Sequence, residues 1–178
     1  MSQPPYLLGI DLGTSSCKAV LFDVKGRQVA KSQAPLRLIQ TRFVRAEQDP
    51  NEWWDAATRA VRICLKMAKA RRGEVESIGI SGHGPGVVCV DEAAQPLGNA
   101  LIWMDRRAHG EVELIGKHVS HADVYARTGH VLDASSSLPK MLWLKSHAAK
   151  TYRRTYRFLQ SNGFLGLRLT GEYGMDYA

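Results

Sequence analysis

The sequence predicts an α/β fold: a meander of β-strands, then a long helix, then further strands and helices. The chain opens with three short apolar segments, Leu7 to Ile10, Cys17 to Phe22 and Gln28 to Ala34. Only tight turns separate them, which is typical of consecutive antiparallel strands. A long amphipathic segment follows them. With 178 residues, 44% of them apolar, the chain is long enough for one hydrophobic core.

The turn between the first two strands carries residues suited to phosphate binding. Asp11, at the end of the first strand, can hold a divalent cation directly or through its water, and Gly13 leaves room for a phosphate to approach the backbone. Thr14 and Ser15 add hydroxyl and amide donors, and Lys18 adds a positive charge. The pattern indicates a site for a metal ion and a polyphosphate. An ordinary hairpin without a ligand is the alternative.

A helix is predicted to begin at Pro50 and to end near Arg71. Asp49 can cap it, proline suits the first helical position, and Glu52 completes a capping box. Apolar side chains recur at helical spacing and are expected to pack on the sheet. They are Trp54, Ala57, Val61, Cys64, Leu65 and Ala68.

The remainder is predicted to contain two more strands and several helices. The strands are Ser77 to Ser81 and Val87 to Val90, separated by the loop Gly-His-Gly-Pro-Gly. Helices are expected near Arg106 to His118, Leu138 to His147 and Phe164 to Leu169. This order of elements is α/β.

The formal charge of +7 raises the question of nucleic-acid binding, because clustered Lys and Arg neutralise phosphates. The basic residues fall in two separate groups without an aromatic stacking platform, so we expect solvated surfaces and no nucleic-acid partner. One group lies on the predicted outer face of the first helix: Arg59, Arg62, Lys66 and Lys69. The other comprises Arg153, Arg154 and Arg157.

Three cysteines, Cys17, Cys64 and Cys89, lie in apolar stretches and lack CxxC or His spacing. They are predicted to be buried thiols of a reducing compartment, with neither zinc nor disulfides. No stretch has the length of a membrane helix, and the N-terminus lacks a basic start followed by a long apolar run. We therefore expect a cytoplasmic protein with no membrane partner.

Six segments resemble the FGGY family of carbohydrate kinases in order and spacing, most closely its xylulose kinases. They are LLGIDLGTSS, AEQDPNEWW, GISGHGPG, ALIWMDRRA, TGH…SSSLPKMLWL and LTGEYGMDYA, and the resemblance covers Tyr6 to Ala178. It implies the ribonuclease H-like fold of actin-like ATPases and sugar kinases, with a mixed sheet and flanking helices. It also implies transfer of the γ-phosphoryl group of MgATP to a hydroxyl of a ketopentose such as D-xylulose. ATP and Mg²⁺ are then the expected cofactors, and the sugar and MgATP the expected partners.

The resemblance gives the first hairpin a role in nucleotide binding. Asp11 matches the family aspartate that orients magnesium and phosphate, and Gly13, Thr14 and Ser15 match the first phosphate loop. The chemistry of these residue types also indicates binding of a metal ion and a polyphosphate.

His83 and Gly84 match a loop that lines the sugar site in the family. Xylulose kinases usually present a Gln-Met-His run there, whereas this chain has Pro85 in place of the family's histidine. This difference leaves other substrates open: ribulose, L-xylulose, erythritol and glycerol.

Trp103, Asp105 and Arg107 match a Trp-x-Asp-x-Arg signature of the family. An aromatic face and a carboxylate can meet the CH surface and the hydroxyls of a sugar, while Arg107 is expected to brace the loop. Core packing is the alternative for an isolated tryptophan. A second signature, from Lys140 to Leu144, is expected to be structural.

Family members run to well over twice this length, and their catalytic base matches a position after Ala178. Asp176 matches a region that precedes the base. We therefore expect residues 1–178 to form the N-terminal part of the first domain of a kinase, without the rest of that domain and without the adenosine-binding domain. Such a fragment is expected to be inactive by itself, because phosphoryl transfer needs groups from both sides of a cleft.

Two functions of other classes stay open. Nucleases of the ribonuclease H-like group also begin with an apolar strand ending in Asp-x-Gly, but they need several carboxylates on two metals. Beyond Asp11, only Asp91 ends a predicted strand. A non-catalytic sugar-binding or partner-binding module is the other alternative, and homodimer formation is also left open.

Overall fold

The computed structural model describes residues 4–42 and 44–175. Asp176 lies outside this range. The chain divides into two compact units. The first unit comprises residues 4–38, Pro50–His83 and 161–175, and the second comprises residues 39–49, without Phe43, and Gly84–Gln160.

The described residues form nine strands and six helices. The strands are β1 (Tyr6–Leu12), β2 (Ser16–Asp23), β3 (Gln28–Pro35), β4 (Ile39–Arg42), β5 (Arg45–Gln48), β6 (Val75–Gly82), β7 (Val88–Val90), β8 (Ala100–Leu101) and β9 (Arg157–Leu159). The helices are α1 (Pro50–Ala68), α2 (His109–Gly116), α3 (His121–Thr128), α4 (Ser137–His147), α5 (Ala149–Arg154) and α6 (Ser161–Thr170).

The first unit is built on a four-stranded mixed sheet in the order β3-β2-β1-β6. β1, β2 and β3 form the predicted antiparallel meander, while β6 runs parallel to β1. The alternating burial of β1 and β2 places Leu8, Ile10 and Leu21 in the core. The strands extend beyond the predicted apolar runs because their polar ends, such as Ser16 and Asp23, also join the ladder.

Helix α1 packs on this sheet, and Ser32 Oγ of β3 donates a hydrogen bond to its Ala60 carbonyl. The predicted buried face of α1 is confirmed at Ala57 and Cys64, whereas Trp54 and Val61 are only half-buried. The buried side chains also include Trp53 and Ala60, which were not predicted. The helix packs through small alanines, which give a weaker hydrophobic pattern than the larger residues beside them.

Helix α1 ends at Ala68, before the predicted Arg71. Lys69 adopts a positive φ of 54°, and Ala70 N donates to the Leu65 carbonyl at 3.0 Å. This is the left-handed C-terminal turn that closes many helices. Usually a glycine marks it, so the lysine gave no signal in the sequence.

The second unit contains a three-stranded sheet, β4-β5-β8, and a two-stranded sheet, β7-β9, with helices α2 to α5. One hydrophobic cluster is formed by Val87, Cys89, Leu101 and Leu144. Another is formed by Val112, Ile115, Leu132 and Ala134. The strands β4, β5, β8 and β9 and the helices α3 and α5 were not predicted. They are short, and β5 and α3 lack the apolar pattern on which such predictions rest.

The three cysteines are buried free thiols, as predicted. Burial, with the negative charge of Asp11 as a second cause, raises the pKa of Cys17 to about 11. The Lys and Arg residues of both predicted basic groups are exposed, and one of them, Lys69, lies directly after α1. No helix in the described part of the chain is long and apolar enough to cross a membrane.

Candidate functional site

The first half of the candidate site is the hairpin between β1 and β2. The antiparallel register pairs Asp11 with Lys18, and Lys18 Nζ lies 3.2 Å from Asp11 Oδ2. The Asp11 side chain is 51% exposed and that of Lys18 41%. Both charges are therefore available at the surface, where a carboxylate can reach a cation and an ammonium can reach a phosphate.

The turn that joins these strands is tight. Gly13 N donates to the Ser16 carbonyl at 3.1 Å, and a Cβ on Gly13 would lie 3.2 Å from the same carbonyl oxygen. Leu36 N donates to the Ser15 carbonyl at 2.9 Å, which ties the turn to the end of β3. The turn thus carries the half-buried Thr14 and the exposed Ser15 shortly after Asp11 in the chain.

These residues fit a metal-bound polyphosphate. Asp11 offers an exposed carboxylate, and the backbone bends sharply at Gly13 beside a cation, Lys18. The described residues contain no group of three or more His, Cys, Asp or Glu side chains that could hold a metal ion. An exposed carboxylate such as that of Asp11 can share a hydrated magnesium ion with phosphate oxygens.

His83 lies at the same edge of this sheet as Asp11, because β1 and β6 run parallel. His83 N donates to the Leu12 carbonyl at 2.9 Å, and Ser161 Oγ donates to the His83 carbonyl at 2.6 Å. The imidazole is half-buried and packs edge-on against Trp53, with ring centroids 5.3 Å apart. These contacts hold His83 firmly at the carboxyl end of β6.

Gly82 is a residue of this region that the sequence analysis missed. A Cβ at this position would lie 2.5 Å from Ser161 Oγ and 2.9 Å from the Asn162 amide nitrogen. Helix α6 can begin this close to β6 only because Gly82 has no side chain. The signal in the sequence was the glycine that directly precedes His83, but its partner, Ser161, is far away in the chain.

The second half of the candidate site lies in the second unit, around a buried ion pair. Asp105 exposes none of its side chain and Arg107 exposes 6%. Arg107 Nη2 lies 2.7 Å from Asp105 Oδ2 and 2.6 Å from Glu47 Oε1. Asp105 Oδ2 also accepts from Ala46 N at 2.8 Å, and Asp105 Oδ1 accepts from Arg107 N at 3.1 Å.

Burial lowers the pKa of the Arg107 guanidinium, but its hydrogen bonds to Asp105 and Glu47 outweigh this and hold the pKa above its ordinary value. The predicted direct contact of Asp105 with sugar hydroxyls needs correction. The carboxylate is fully buried and already accepts hydrogen bonds from Arg107 and Ala46. Asp105 therefore holds the loop together with Arg107. Glu47, which completes the pair, was missed because β5 was not predicted.

Trp103 lies on a turn that this ion pair supports. Asp105 N donates to the Ile102 carbonyl at 2.9 Å, and Arg106 N donates to the Val44 carbonyl at 2.9 Å. Ile102 is fully buried, whereas Trp103 is 44% exposed. The exposed indole leaves an aromatic surface that can pack on the CH face of a sugar.

Gly84 lies in the loop of residues 84–86, which is also in the second unit. It is exposed, and a Cβ there would lie 2.7 Å from the Oε1 atom of Gln160. At Gly86, a Cβ would lie 3.3 Å from a backbone atom, the Leu101 carbonyl oxygen. The loop therefore runs close to the strand that leads to Ile102 and Trp103.

The structure thus assigns the predicted residues to two groups. Asp11, Gly13, Thr14, Ser15, Lys18 and His83 belong to the first unit, and Gly84, Trp103, Asp105 and Arg107 belong to the second. Within each group, the residues lie on connected turns and strand ends.

Comparison with known proteins shows which family the chain resembles over its length. The profile of the N-terminal domain of the FGGY family of carbohydrate kinases matches residues 6–178. A xylulose kinase of Escherichia coli K12 is 31% identical over 169 residues, which cover 95% of this chain and 34% of that protein. A glycerol kinase of Thermococcus onnurineus is 31% identical over 177 residues, which cover 97% of this chain and 36% of that protein.

The solved structure of xylulose kinase from Rhodospirillum rubrum is similar in fold. Its TM-score is 0.89 at 26% identity, and the match covers 96% of this chain and 36% of that one. The α/β fold of the sugar kinases, implied by the sequence resemblance, is thereby confirmed. The chain spans about a third of the length of these relatives.

Proposed function

The chain belongs to the FGGY family of carbohydrate kinases, and we propose that it forms the N-terminal part of a ketopentose kinase. The proposed reaction is transfer of the γ-phosphoryl group of MgATP to a hydroxyl of a sugar such as D-xylulose. The observation that carries the proposal is the pair of Asp11 and Lys18 at the tight turn of the first hairpin. It lies where the family resemblance calls for a phosphate loop.

In this proposal, the hairpin of residues 11–18 binds the phosphates. When bound, MgATP supplies the phosphoryl group and a metal ion that neutralises its charge. Asp11 would hold the magnesium ion, directly or through a water ligand, while Lys18 would attract phosphate oxygens. The glycine at position 13 would let the phosphates approach the backbone, and Thr14 and Ser15 would donate hydrogen bonds to them.

The second unit would supply a sugar-binding surface. Trp103 would pack its exposed indole on the CH face of the sugar, and Gly84 would line the same site. Asp105 and Arg107 would act through the turn that they hold, without touching the sugar. His83, at the carboxyl end of β6 in the first unit, is a further proposed sugar-binding residue on the family resemblance alone.

A polyol such as glycerol is the second candidate substrate. Two observations favour it: Pro85 replaces the histidine usual in xylulose kinases, and a glycerol kinase is among the similar proteins. Four xylulose kinases, however, are 30 to 34% identical to the chain. We therefore place D-xylulose first.

No residue of the chain is assigned as the general base in this proposal. The 178-residue chain alone would then bind nucleotide phosphates weakly and would not transfer a phosphoryl group.

The experiment is a coupled ADP-release assay on the product of the complete gene with D-xylulose, L-xylulose, D-ribulose, erythritol and glycerol. The highest kcat/KM is expected with D-xylulose. A clear preference for glycerol would favour the second candidate. ADP release that does not respond to any of these compounds would refute the proposed function.

A further inference from the structure

Lys140, on helix α4, is fully buried. Its Nζ donates to three backbone carbonyls: to that of Ile102 at 2.8 Å, to that of Ser135 at 2.5 Å and to that of Pro85 at 3.4 Å. An ammonium group has three N–H donors, so this arrangement uses each of them. The three carbonyls come from three separate loops of the second unit.

One of these loops, residues 84–86, is held by α4 through two side chains. Lys140 reaches the Pro85 carbonyl, and Ser137 Oγ donates to the Gly86 carbonyl at 3.2 Å. Gly86 in turn lies close to the Leu101 carbonyl. The first two turns of α4 thus fix the loop that carries Gly84.

The Ile102 carbonyl connects Lys140 to the turn of Trp103. This carbonyl accepts both from Lys140 Nζ and from Asp105 N, which closes the turn. The ammonium therefore lies on the buried side of a turn whose exposed side is the Trp103 indole. Asp105 also attracts the ammonium electrostatically, as does Asp133.

Burying an ammonium group is costly, because it loses its hydration. This burial lowers the pKa of Lys140 to about 8, although the charges of Asp105 and Asp133 oppose the shift. An apolar side chain would avoid the cost of desolvation but would leave the three carbonyls without this donor. The buried ammonium therefore lowers the stability of the fold through its desolvation, but it joins three loops by hydrogen bonds.

We propose that Lys140 is a positioning residue for sugar binding: by joining the carbonyls of Pro85 and Ile102, it fixes Gly84 and the exposed face of Trp103 relative to each other. The effect on the sugar rests on the proposed function. The effect on the two loops does not, and it can be measured on the 178-residue chain without any ligand.

The test compares Lys140→Met with Leu142→Ala in the ¹⁵N-labelled chain. Leu142 is half-buried on the same helix and packs on the other hydrophobic cluster, that of Val112 and Ile115. Trp103→Phe assigns the Trp103 indole resonance. In Lys140→Met, the Trp103 indole and Gly86 amide resonances should shift, and the Asp105 amide should exchange with solvent about tenfold faster or more, since a charge-assisted hydrogen bond is lost.

Leu142→Ala should leave these three signals near their wild-type values, even where it lowers the melting temperature as much. Lys140→Arg, which keeps a charged donor, should restore part of the wild-type pattern. Unchanged Trp103 and Asp105 signals in a folded Lys140→Met chain would overturn the proposal. Equal shifts in Leu142→Ala would do the same, because they would show general loosening.

If Lys140→Met does not fold, the proposal is tested by the solvent exchange of the Lys140 side-chain ammonium in the wild-type chain. Its ¹H–¹⁵N correlation should persist at a pH and temperature at which exposed Lys66 has lost its own by solvent exchange. Exchange of Lys140 as fast as that of Lys66 would overturn the proposal.

A D-xylulose titration of the wild-type chain, followed at the Trp103 indole, separates the two proposals. If Lys140→Met changes the loop signals but D-xylulose does not change the Trp103 indole signal of the wild type, the result would contradict the proposed function but not the role of Lys140 in the loops. If the Trp103 indole of Lys140→Met still responds to D-xylulose as in the wild type, the result would contradict the role of Lys140 in sugar binding but not the proposed function. In the product of the complete gene, the variant should raise the sugar KM more than the ATP KM.

Discussion

Arg107 and Asp105 form a buried ion pair in which the guanidinium contacts both carboxylate oxygens. Arg107 Nε lies 2.9 Å from Asp105 Oδ1 and Nη2 lies 2.7 Å from Oδ2. Since the two residues are only two positions apart, the pair fixes the chain at the end of the Trp103 turn. A bidentate pair of this kind imposes a defined geometry. The pair thereby fixes the shape of the loop.

Replacing Asp105 by Ala should destabilise the chain by roughly 3–5 kcal/mol, since the buried Arg107 loses a charged partner and Ala46 N loses its acceptor. Urea unfolding followed by circular dichroism measures this. Glu113→Gln is the control, because its side chain is 72% exposed, and it should change stability by less than about 1 kcal/mol. A loss as small as the control's for Asp105→Ala would show that the pair does not hold the loop.

Replacing Trp103 by Ala should raise the sugar KM by about tenfold, because a sugar would lose its aromatic contact. The ATP KM should stay within about twofold, and the indole is exposed enough that folding should be little affected. Steady-state kinetics of the product of the complete gene provide the measurement, with Trp103→Phe as the matched variant that keeps an aromatic face. Equal increases in both KM values would show that Trp103 does not act through contact with the sugar.

Lys140 predicts a specific pH dependence of stability. Its pKa is about 8 in the folded chain, against an ordinary value of 10.5, so between these values the unfolded chain binds more protons at this residue. The contribution of Lys140 to the free energy of unfolding should therefore rise as the pH increases from 8 to 10.5, by up to roughly 3 kcal/mol. The charged groups that act on it are Asp105, Asp133, Arg106 and Arg107.

Urea unfolding of the wild type and of Lys140→Met across this pH range isolates the effect. The difference, wild type minus variant, should increase with pH. Cys17, whose pKa is raised to about 11, has the opposite effect, since its stabilising proton is lost as the pH rises from about 9 through 11. It is present in both proteins and cancels. A difference that stays flat or decreases would contradict the burial of a titrating Lys140.

The edge of β6 predicts self-association of the 178-residue chain. β6 is an outer strand of the four-stranded sheet in the described part of the chain, and Ile78 on it is 46% exposed. An open strand edge with apolar side chains readily pairs with another copy. Sedimentation velocity should show concentration-dependent association that Ile78→Lys reduces. Met67→Lys, at a 62% exposed position on α1, should not reduce it. A monomer at all concentrations would refute the prediction.

The sequence was most informative where local chemistry determines structure. β1 and β2 were predicted because an apolar run ends in Asp-Leu-Gly-Thr, and the meander follows from short turns. By contrast, β5 has the sequence Arg-Ala-Glu-Gln, which lacks an apolar pattern, although it contributes Glu47 to the ion pair of Arg107. Its pairing with β4 and β8 decides its conformation, and such distant pairing leaves little trace in a single sequence.

The candidate site shows the same division. The residue types of the hairpin indicated phosphate binding before the structure placed Asp11 beside Lys18. The role of Asp105 was predicted incorrectly because exposure depends on tertiary packing. Lys140 was expected to be structural, but the sequence could not show what it contacts. Its partners are backbone carbonyls, which every residue has and which therefore leave no pattern in a sequence.

The most direct test of the central claim is ADP release by the product of the complete gene and by its Asp11→Asn variant, with D-xylulose and MgATP. Asparagine keeps the shape of Asp11 but removes the charge that would face magnesium, so turnover should fall by orders of magnitude. Stability should change by less than about 1 kcal/mol, because the pair with Lys18 is exposed. Glu76→Gln, which neutralises an exposed carboxylate on β6, should retain full activity. Near-normal phosphorylation of D-xylulose by Asp11→Asn would contradict the assignment of this hairpin as the phosphate site.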